Sequence, residues 1–500
     1  MTAFMKLQNG SDIRGIASEG VEGENVNLTP QIARQIGYAF ANWLAKKSAC
    51  QTKDLKIGVG RDSRITGPDL AAALMEGIIF AGASVVDCGM ATTPSMFMSI
   101  VFKETAFTGA AMITASHLPF NRNGIKFFDK DGGLEHDDIT EILSQAEKAN
   151  VEKASAAASV GSVDLISIYA EYLKNKIASA LKDIDEKQPL KGLHIVVDSG
   201  NGASGFFVDK ILKPLGADTS GSQFLEPDGM FPNHIPNPEN KQAMEAIKNA
   251  VLKNKADLGL IFDTDVDRMS AVLNDGREIN RDSIIAMIAA ILAPEYPGST
   301  IITDSITSDR LTYFLEDVLG LKHLCYKRGY KNVIDKQKEL NASGTVAPLA
   351  METSGHGALK DNYFLDDGAF LAVKLIIALA QASVKGKNLS SLIEKLPPLV
   401  EDGEFRFKIK GEDFKEYGLK VLDEFKKRAS DAGYTLPHSY EGVRISFNSE
   451  DIKGWMLLRL SLHDPVMPLN IEGARKGDLA KLVEIAKKLT DGFDRLERKF

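Results

Sequence analysis

The sequence predicts an α/β protein in which successive doubly wound, mixed α/β domains are followed by a smaller C-terminal α+β domain. Three observations carry this expectation. Short apolar runs alternate with helix-length segments through most of the chain, the pattern of strands joined by crossover helices. Two of these runs end abruptly in polar clusters, around Ser116 and around Asp263, and open α/β sheets bind ligands at the carboxyl ends of their strands. Beyond residue 404 the apolar period shortens to two, as in antiparallel strands.

In chain order, Lys56–Gly60 reads as a strand, followed by Arg61-Asp62-Ser63-Arg64 and a helix from about Pro68 to Ala81. Ser84–Asp87 is the next strand. The apolar run Ala110–Ile113 then stops at Thr114-Ala115-Ser116-His117, and an Asn123-Gly124 turn is expected to deliver Lys126. Ser116 is a candidate nucleophile, with His117 and Lys126 as proton or charge partners. A lone Ser-His pair is more often an ordinary loop serine, so the second cluster matters. Ala146–Ser162, rich in Ala, Ser, Glu and Lys, reads as a helix tail and linker that ends a first domain at 1–160.

A second domain, 161–277, contains the strand His194–Val197 and the turn Asp198-Ser199-Gly200-Asn201-Gly202. Such a turn could bind phosphate through backbone amides, although chain reversal is the commoner role. The domain closes with Ala256–Arg268, ADLGLIFDTDVDR, where the strand Leu258–Phe262 runs into Asp263, Asp265 and Asp267. The third, 278–398, holds the strand Ser299–Thr303 and the loops Lys327–Lys331 and Glu352–His356. Pro397-Pro398 and Glu401-Asp402-Gly403 break the pattern and mark the last boundary. In 399–500 the segments Glu404–Lys410 and Gly454–Leu462 alternate like antiparallel strands, with helices expected at Tyr417–Ala432 and Asp478–Asp491, which suggests a small α+β lid.

Three carboxylates at i, i+2 and i+4 raise one another's pKa and need a cation to sit together. Hard oxygen ligands on a short loop suit Mg²⁺, which commonly completes its shell with phosphate oxygens. A calcium-binding EF-hand fails, because its sixth position would be Arg268 instead of Gly and its twelfth Asn274 instead of Glu. Arg268 beside the triad fits an anionic group docking next to a metal.

Composition narrows the function. A 500-residue chain suggests three to four domains at about 150 residues each. With 60 basic against 68 acidic residues the net charge is −8, so no global basic field invites nucleic acid or anionic lipid. Cys50, Cys88 and Cys325 are scattered and form no CxxC, which favours a reduced, cytoplasmic setting. The N-terminus MTAFMKLQNGSD shows no secretory h-region, and apolar stretches such as Ile284–Ala293 are too short to cross a bilayer.

Together, a strand-end Ser-His with a downstream Lys and a strand-end DxDxDR resemble the α-D-phosphohexomutase superfamily, the phosphoglucomutases and phosphomannomutases among them. The resemblance extends to NGSDIRG at Asn9–Gly15, KRGYK at Lys327–Lys331, ETSGH at Glu352–His356 and RLSLHDP at Arg459–Pro465. It implies three α/β domains and a mobile fourth around a central cleft. It further implies a phosphoryl group on Ser116, Mg²⁺ held by Ser116, Asp263, Asp265 and Asp267, and Lys126 as general acid/base. His117 would support Lys126, and Arg14 would hold phosphate. Lysine can act as a base only if nearby cations and burial lower its pKa. For substrate it implies Arg268, the specificity loop Lys327, Arg328, Gly329, Tyr330 and Lys331, the sugar-contacting Glu352, Ser354 and His356, and the phosphate clamp of Arg459, Ser461 and His463. The partners implied are hexose phosphates and hexose bisphosphates, on a monomer or homodimer.

The clamp departs from the superfamily pattern, since Leu462 and His463 stand where a small residue and a Thr are usual. Gln223–Pro238 and Leu457–Ile471 resemble a branch implicated in making hexose 1,6-bisphosphate. The first expectation is therefore a glucose 1,6-bisphosphate synthase using a donor such as fructose 1,6-bisphosphate, with a phosphoglucomutase or phosphomannomutase as close alternative. An aspartyl-phosphate phosphatase with Asp263 as nucleophile and Asp366-Asp367 as a second acidic pair is a further alternative, as is a silent sugar-phosphate sensor. The phosphatase leaves Ser116, Arg459 and ETSGH unexplained, and the sensor would need a lost nucleophile or metal site, whereas all those residues are present.

Overall fold

The computed structural model of the protein describes residues 2–152, 160–461 and 464–500. Two compact units emerge. The first comprises Met1–Asn280, Ser354–Gly357 and Leu365–Ser390; the second comprises Arg281–Thr353, Ala358–Phe364 and Ser391–Phe500.

In the first unit, the strand Lys56–Arg61 lies between the parallel strands Ser84–Met90 and Gly109–Ile113. Arg122–Asp129 then runs antiparallel to Gly109–Ile113, and Asp12–Ile16 antiparallel to Arg122–Asp129. The expected turn at Asn123-Gly124 is instead the start of that long strand. Gly124 is there for closeness of approach: a β-carbon on it would stand 2.2 Å from the Ile13 carbonyl oxygen. Within the expected helix tail and linker Ala146–Ser162, the helix runs to Lys148 and Gly161–Ser162 pairs with Val86 and Asp87 at the sheet edge. Residues 153–159 of that segment lie outside the described residues.

A second sheet in the same unit places Leu258–Phe262 parallel to Ile195–Asp198 and antiparallel to Met269–Leu273. All five residues of Leu258–Phe262 are buried, as a run without polar alternation requires. The helix Gly368–Val384 belongs to this unit although it follows far along the chain. Asp367 caps it by accepting from the Phe370 N–H, and the Tyr169 hydroxyl donates to the same Asp367 oxygen at 2.6 Å.

In the second unit, Thr300–Thr303 lies between the parallel strands Lys322–Cys325 and Leu349–Met351. The C-terminal part is an antiparallel sheet ordered Val443–Asn448, Lys453–Leu458, Val466–Gly473, Glu401–Ile409 and Leu496–Glu497. Phe407, Ile445, Met456 and Leu469 from its strands pack with Phe425 and Leu482 of the helices Phe414–Asp431 and Asp478–Leu489. Glu401-Asp402-Gly403, expected as a break, instead opens the strand Glu401–Ile409 and pairs with Gly473, Glu472 and Ile471. Asp402, Glu404, Arg406 and Lys408 alternate as exposed residues, the pattern of a strand with one solvated face and not of a chain break. No helix among the described residues is long and apolar enough to cross a membrane.

The helices Pro30–Lys47 and Gly67–Phe80 cover one face of the first sheet, and glycine sets their separation. A β-carbon at Gly77 would stand 1.9 Å from the Arg34 carbonyl oxygen, and one at Gly37 2.1 Å from that of Leu74. Gly77→Ala must push the helices apart, and a loss on the order of 2 kcal/mol is expected despite the gain in helix propensity. Urea unfolding checks this; a midpoint equal to or above the parent's would contradict the close crossing.

Candidate active site

Ser116 sits just past the end of the strand Gly109–Ile113, where the sequence places it. Its backbone is left-handed, with φ +50°, an uncommon state for a residue with a β-carbon. The Thr114 hydroxyl accepts from the Ser116 N–H at 2.9 Å and helps hold the turn. The result is a buried hydroxyl that donates to Asp263 Oδ2 at 2.8 Å and accepts from Arg268 Nη2 at 3.0 Å.

Asp263, Asp265 and Asp267 leave the strand Leu258–Phe262 together, all three buried, with ligand-type oxygens within 4.8 Å of one another. The segment is a turn, and every residue from Asp263 to Arg268 along it is buried. Val266, between the last two, has φ +67°, which is strained for a β-branched residue; the Gly368 N–H donates to its carbonyl at 3.0 Å. Asp263 also accepts from the Arg268 N–H and Nε. Thr93 donates to Asp265 Oδ2 at 2.5 Å, and Lys126 Nζ donates to Asp265 and Asp267 at 3.2 and 2.5 Å. One oxygen each of Asp265 and Asp267 is buried without a hydrogen-bond partner. Buried carboxylate oxygens without donors are costly, and an all-oxygen set of this kind suits a hard divalent cation. The residues present therefore fit a metal.

The electrostatics follow from burial and crowding. Burial, then Asp267 and Asp265, push the Asp263 carboxyl well above the usual range. Against the cost of burial, chiefly Lys126 holds Asp267 down. Lys126 behaves opposite to a base: burial opposes its charge, but Asp265 and Asp267 raise its pKa well above the ordinary value. In this arrangement Lys126 is held as an ammonium that donates to Asp265 and Asp267, the acid form of the general acid/base expected from the sequence. Burial, with Arg268 and Arg14, lowers the His117 ring to about 3. Arg268 Nη2 donates to His117 Nδ1 at 2.6 Å, so the neutral ring carries its proton on Nε2. Burial likewise lowers His356 to about 3; its Nε2 lies 3.7 Å from Asp267 Oδ1, and its Nδ1 meets the Ser354 hydroxyl at 2.9 Å.

Ser116, His117, Lys126, the three aspartates, Arg268, Ser354 and His356 are thus brought together in the first unit. Arg14 lies at the edge of this group, paired with Asp12 at 3.0 Å. The other expected residues belong to the second unit. There Glu352 accepts from the Gly329 N–H at 2.6 Å, and Glu441 accepts from the Arg328 N–H at 2.9 Å while lying 3.6 Å from Arg459 Nη1. Lys327 lies over the Tyr326 ring, and Tyr330 and Lys331 open the helix Tyr330–Ala342, where Lys331 pairs with Asp335. The Ser461 hydroxyl accepts from the Asp464 N–H. Leu462 and His463 lie outside the described residues. Asp367 is a helix cap, which leaves the phosphatase alternative without its second acidic pair.

Sequence reasoning missed Thr93, Arg64 and Asn237, whose side-chain oxygen accepts from Arg268 Nη1 at 3.3 Å. It also missed His234, although its segment is among the quoted blocks. His234 Nδ1 faces the Ile235 carbonyl at 2.9 Å, and Nε2 faces both Asp198 oxygens at 3.0 and 3.1 Å. Two acceptors on two ring nitrogens describe an imidazolium. Burial opposes that charge, but the hydrogen bond and charge of Asp198 raise the ring's pKa above its ordinary value.

A raised histidine pKa adds stability that is complete below the unfolded value near 6.5 and is lost as pH rises through the folded value. His234→Gln should therefore cost most at slightly acid pH, on the order of 3 kcal/mol for a broken buried pair, and less at alkaline pH. Urea unfolding from pH 6 to 9 reads this directly. A penalty that grows with pH would show that His234 is neutral in the fold.

Residues 5–153, 167–276 and 280–400 match, in order, the phosphoglucomutase/phosphomannomutase alpha/beta/alpha domains I, II and III. The chain is 30% identical over 472 residues to a phosphomannomutase/phosphoglucomutase of Pseudomonas syringae pv. tomato, covering 94% of this chain and 92% of that protein. It is also 30% identical to a phosphoglucomutase/phosphomannomutase of Thermococcus kodakarensis, covering 97% and 98%. A crystal structure of a phosphoglucomutase/phosphomannomutase family protein from Burkholderia thailandensis superimposes with a TM-score of 0.80 at 27% identity, covering 99% of this chain and 100% of that one. Matched domain by domain and along nearly its whole length, the chain belongs to the phosphoglucomutase/phosphomannomutase family of α-D-phosphohexomutases and is an enzyme of that superfamily.

Proposed function

We propose that the enzyme interconverts hexose 1-phosphates and hexose 6-phosphates, with Ser116 as the carrier of the transferred phosphoryl group. The observation that carries this reading is the placement of the Ser116 hydroxyl between Asp263, in the metal-suited triad, and the Arg268 guanidinium. The sequence put a glucose 1,6-bisphosphate synthase first because of Leu462 and His463. Those residues lie outside the described part, and the relatives' names support the mutase reading ahead of it.

In this reading a sugar hydroxyl attacks phosphorus on phosphorylated Ser116, the P–Oγ bond breaks, the hydroxyl's proton passes in net to the freed Ser116 Oγ, and the hexose leaves the first step as a bisphosphate. The reverse transfer from its other phosphate restores phosphoserine and yields the isomer. Such transfer depends on positioning and charge far more than on covalent help. Mg²⁺ held by Asp263, Asp265 and Asp267 would supply positive charge against the phosphoryl oxygens. Arg268 holds the departing Ser116 oxygen and, through His117 Nδ1, fixes the imidazole tautomer. Lys126, as an ammonium, is placed to give a proton or stabilise negative charge. Arg14, Arg459, Ser461 and His463 are assigned to phosphate, and Glu352, Ser354 and His356 to the sugar; Lys327, Arg328, Gly329, Tyr330 and Lys331 would complete the substrate site as its specificity loop.

The reading is tested first by mass spectrometry after exposure to glucose 1,6-bisphosphate. Acid-stable phosphate should map to Ser116; hydroxylamine-labile phosphate on Asp263 would establish phosphatase-like chemistry instead. Asp265→Asn should lower kcat by roughly 100-fold or more, the scale of several kcal/mol of charge stabilisation, with a smaller change in KM. Activity that survives both this change and chelation of divalent ions would remove the metal from the reaction. A product assay with glucose 1-phosphate should show glucose 6-phosphate at only trace bisphosphate, whereas free bisphosphate as the main product would return the synthase to first place.

A further inference from the structure

Arg64 is among the largest fully buried side chains, yet it takes no part in the chemistry described above. Its guanidinium donates to four carbonyls of a single loop. Nη1 reaches Pro119 and Arg122 at 2.8 and 2.9 Å, and Nη2 reaches Ser116 and Leu118 at 2.5 and 2.6 Å. Asp62 fixes the base of the side chain: its Oδ1 accepts from the Arg64 N–H at 3.0 Å, and its Oδ2 lies 3.4 Å from Nε. The Phe231 ring covers the guanidinium at 5.2 Å.

Four inward-facing carbonyls would be orphaned acceptors in a buried loop, and a planar fork of donors can serve them at once where a lysine's three donors around one point cannot. The loop they belong to carries Ser116 at φ +50°, a conformation that persists only when its surroundings enforce it. Thr114 secures the Ser116 N–H and Arg64 the Ser116 carbonyl, so both sides of the strained residue are tied. Only the side chain is left to swing, and Asp263 and Arg268 hold its hydroxyl.

We propose that Arg64 is a positioning residue for phosphoryl transfer, its guanidinium holding the Ser116 loop in the left-handed turn that aims Oγ at Asp263 and Arg268. The proposal rests on the reading of Ser116 as phosphoryl carrier. It predicts a split that a purely structural arginine would not give. In Arg64→Lys, kcat with glucose 1-phosphate and the rate of Ser116 phosphorylation by glucose 1,6-bisphosphate should fall together by about 10- to 100-fold, the scale of a small misplacement of the reacting atom. KM should change little, and folded protein should be retained by thermal unfolding. In Arg64→Ala, low concentrations of guanidinium ion should restore part of kcat without raising the unfolding temperature. If Arg64→Lys does not fold, Asp62→Asn, which keeps the guanidinium but removes its anchor, should show the same split in weaker form. Parental kcat in folded Arg64→Lys, or a loss of activity matched by the loss of folded protein in every variant, would overturn the proposal. Absence of phosphoserine in the parent enzyme itself would overturn the carrier reading, and this proposal with it.

Discussion

The mutual repulsion of Asp263, Asp265 and Asp267 is the constraint around which the first unit is arranged. Three carboxylates within 4.8 Å in a buried site cannot all ionise without compensation. The compensation arrives from separate elements: Lys126 from the strand Arg122–Asp129, Thr93 from the start of a helix, and Arg268 from the same loop. It is incomplete, because two carboxylate oxygens keep no donor. A set of protein partners that satisfied every oxygen would leave nothing for a cation to stabilise. The shortfall is what makes the site suited to bind a metal, and the family membership gives that shortfall a purpose.

The same cations act in two directions. Lys126 lowers Asp267 while Asp265 and Asp267 raise Lys126, so the pair is locked in its charged form. A metal on the same carboxylates would compete with Lys126 for them, and the protonation behaviour of the lysine is tied to occupancy of the triad. His117 and His356, pressed toward neutrality by burial beside these charges, serve as hydrogen-bonding groups of fixed polarity.

Much of this was legible in the sequence, and the reasons are specific. Both candidate loops could be found because strands buried on both faces are continuous apolar runs whose ends are abrupt; Ala110–Ile113 and Leu258–Phe262 each stop where the polar clusters around Ser116 and Asp263 start. Asn123-Gly124 was misread because its dipeptide is a turn signal, whereas the glycine there answers a close strand neighbour that only the fold supplies. Glu401-Asp402-Gly403 was expected to break the pattern because acidic residues on an exposed strand face read as a boundary when the partner strand, Val466–Gly473, is far away in sequence. Arg64 and Thr93 carried no signal, and Asn237 none beyond its place in Gln223–Pro238, since each acts through partners more than twenty residues distant and matches no short spacing.

The helix Gly368–Val384 has a consequence for how the protein is made. The chain completes Asn280, passes through residues of the other unit, and only then returns with Ser354–Gly357 and Leu365–Ser390. The Gly368 N–H that holds the strained Val266 carbonyl, and the Asp367 oxygen that receives the Tyr169 hydroxyl, therefore leave the ribosome about a hundred residues, or more, after their partners. Until then the acidic loop has no brace on its most strained residue. A nascent chain can form the two early sheets and the contacts of Lys126, Thr93 and Arg268 to the carboxylates, but the Val266 carbonyl waits for the Gly368 N–H during the seconds that synthesis needs to deliver it. That interval exposes the turn at Val266 to any defect that delays the returning segment.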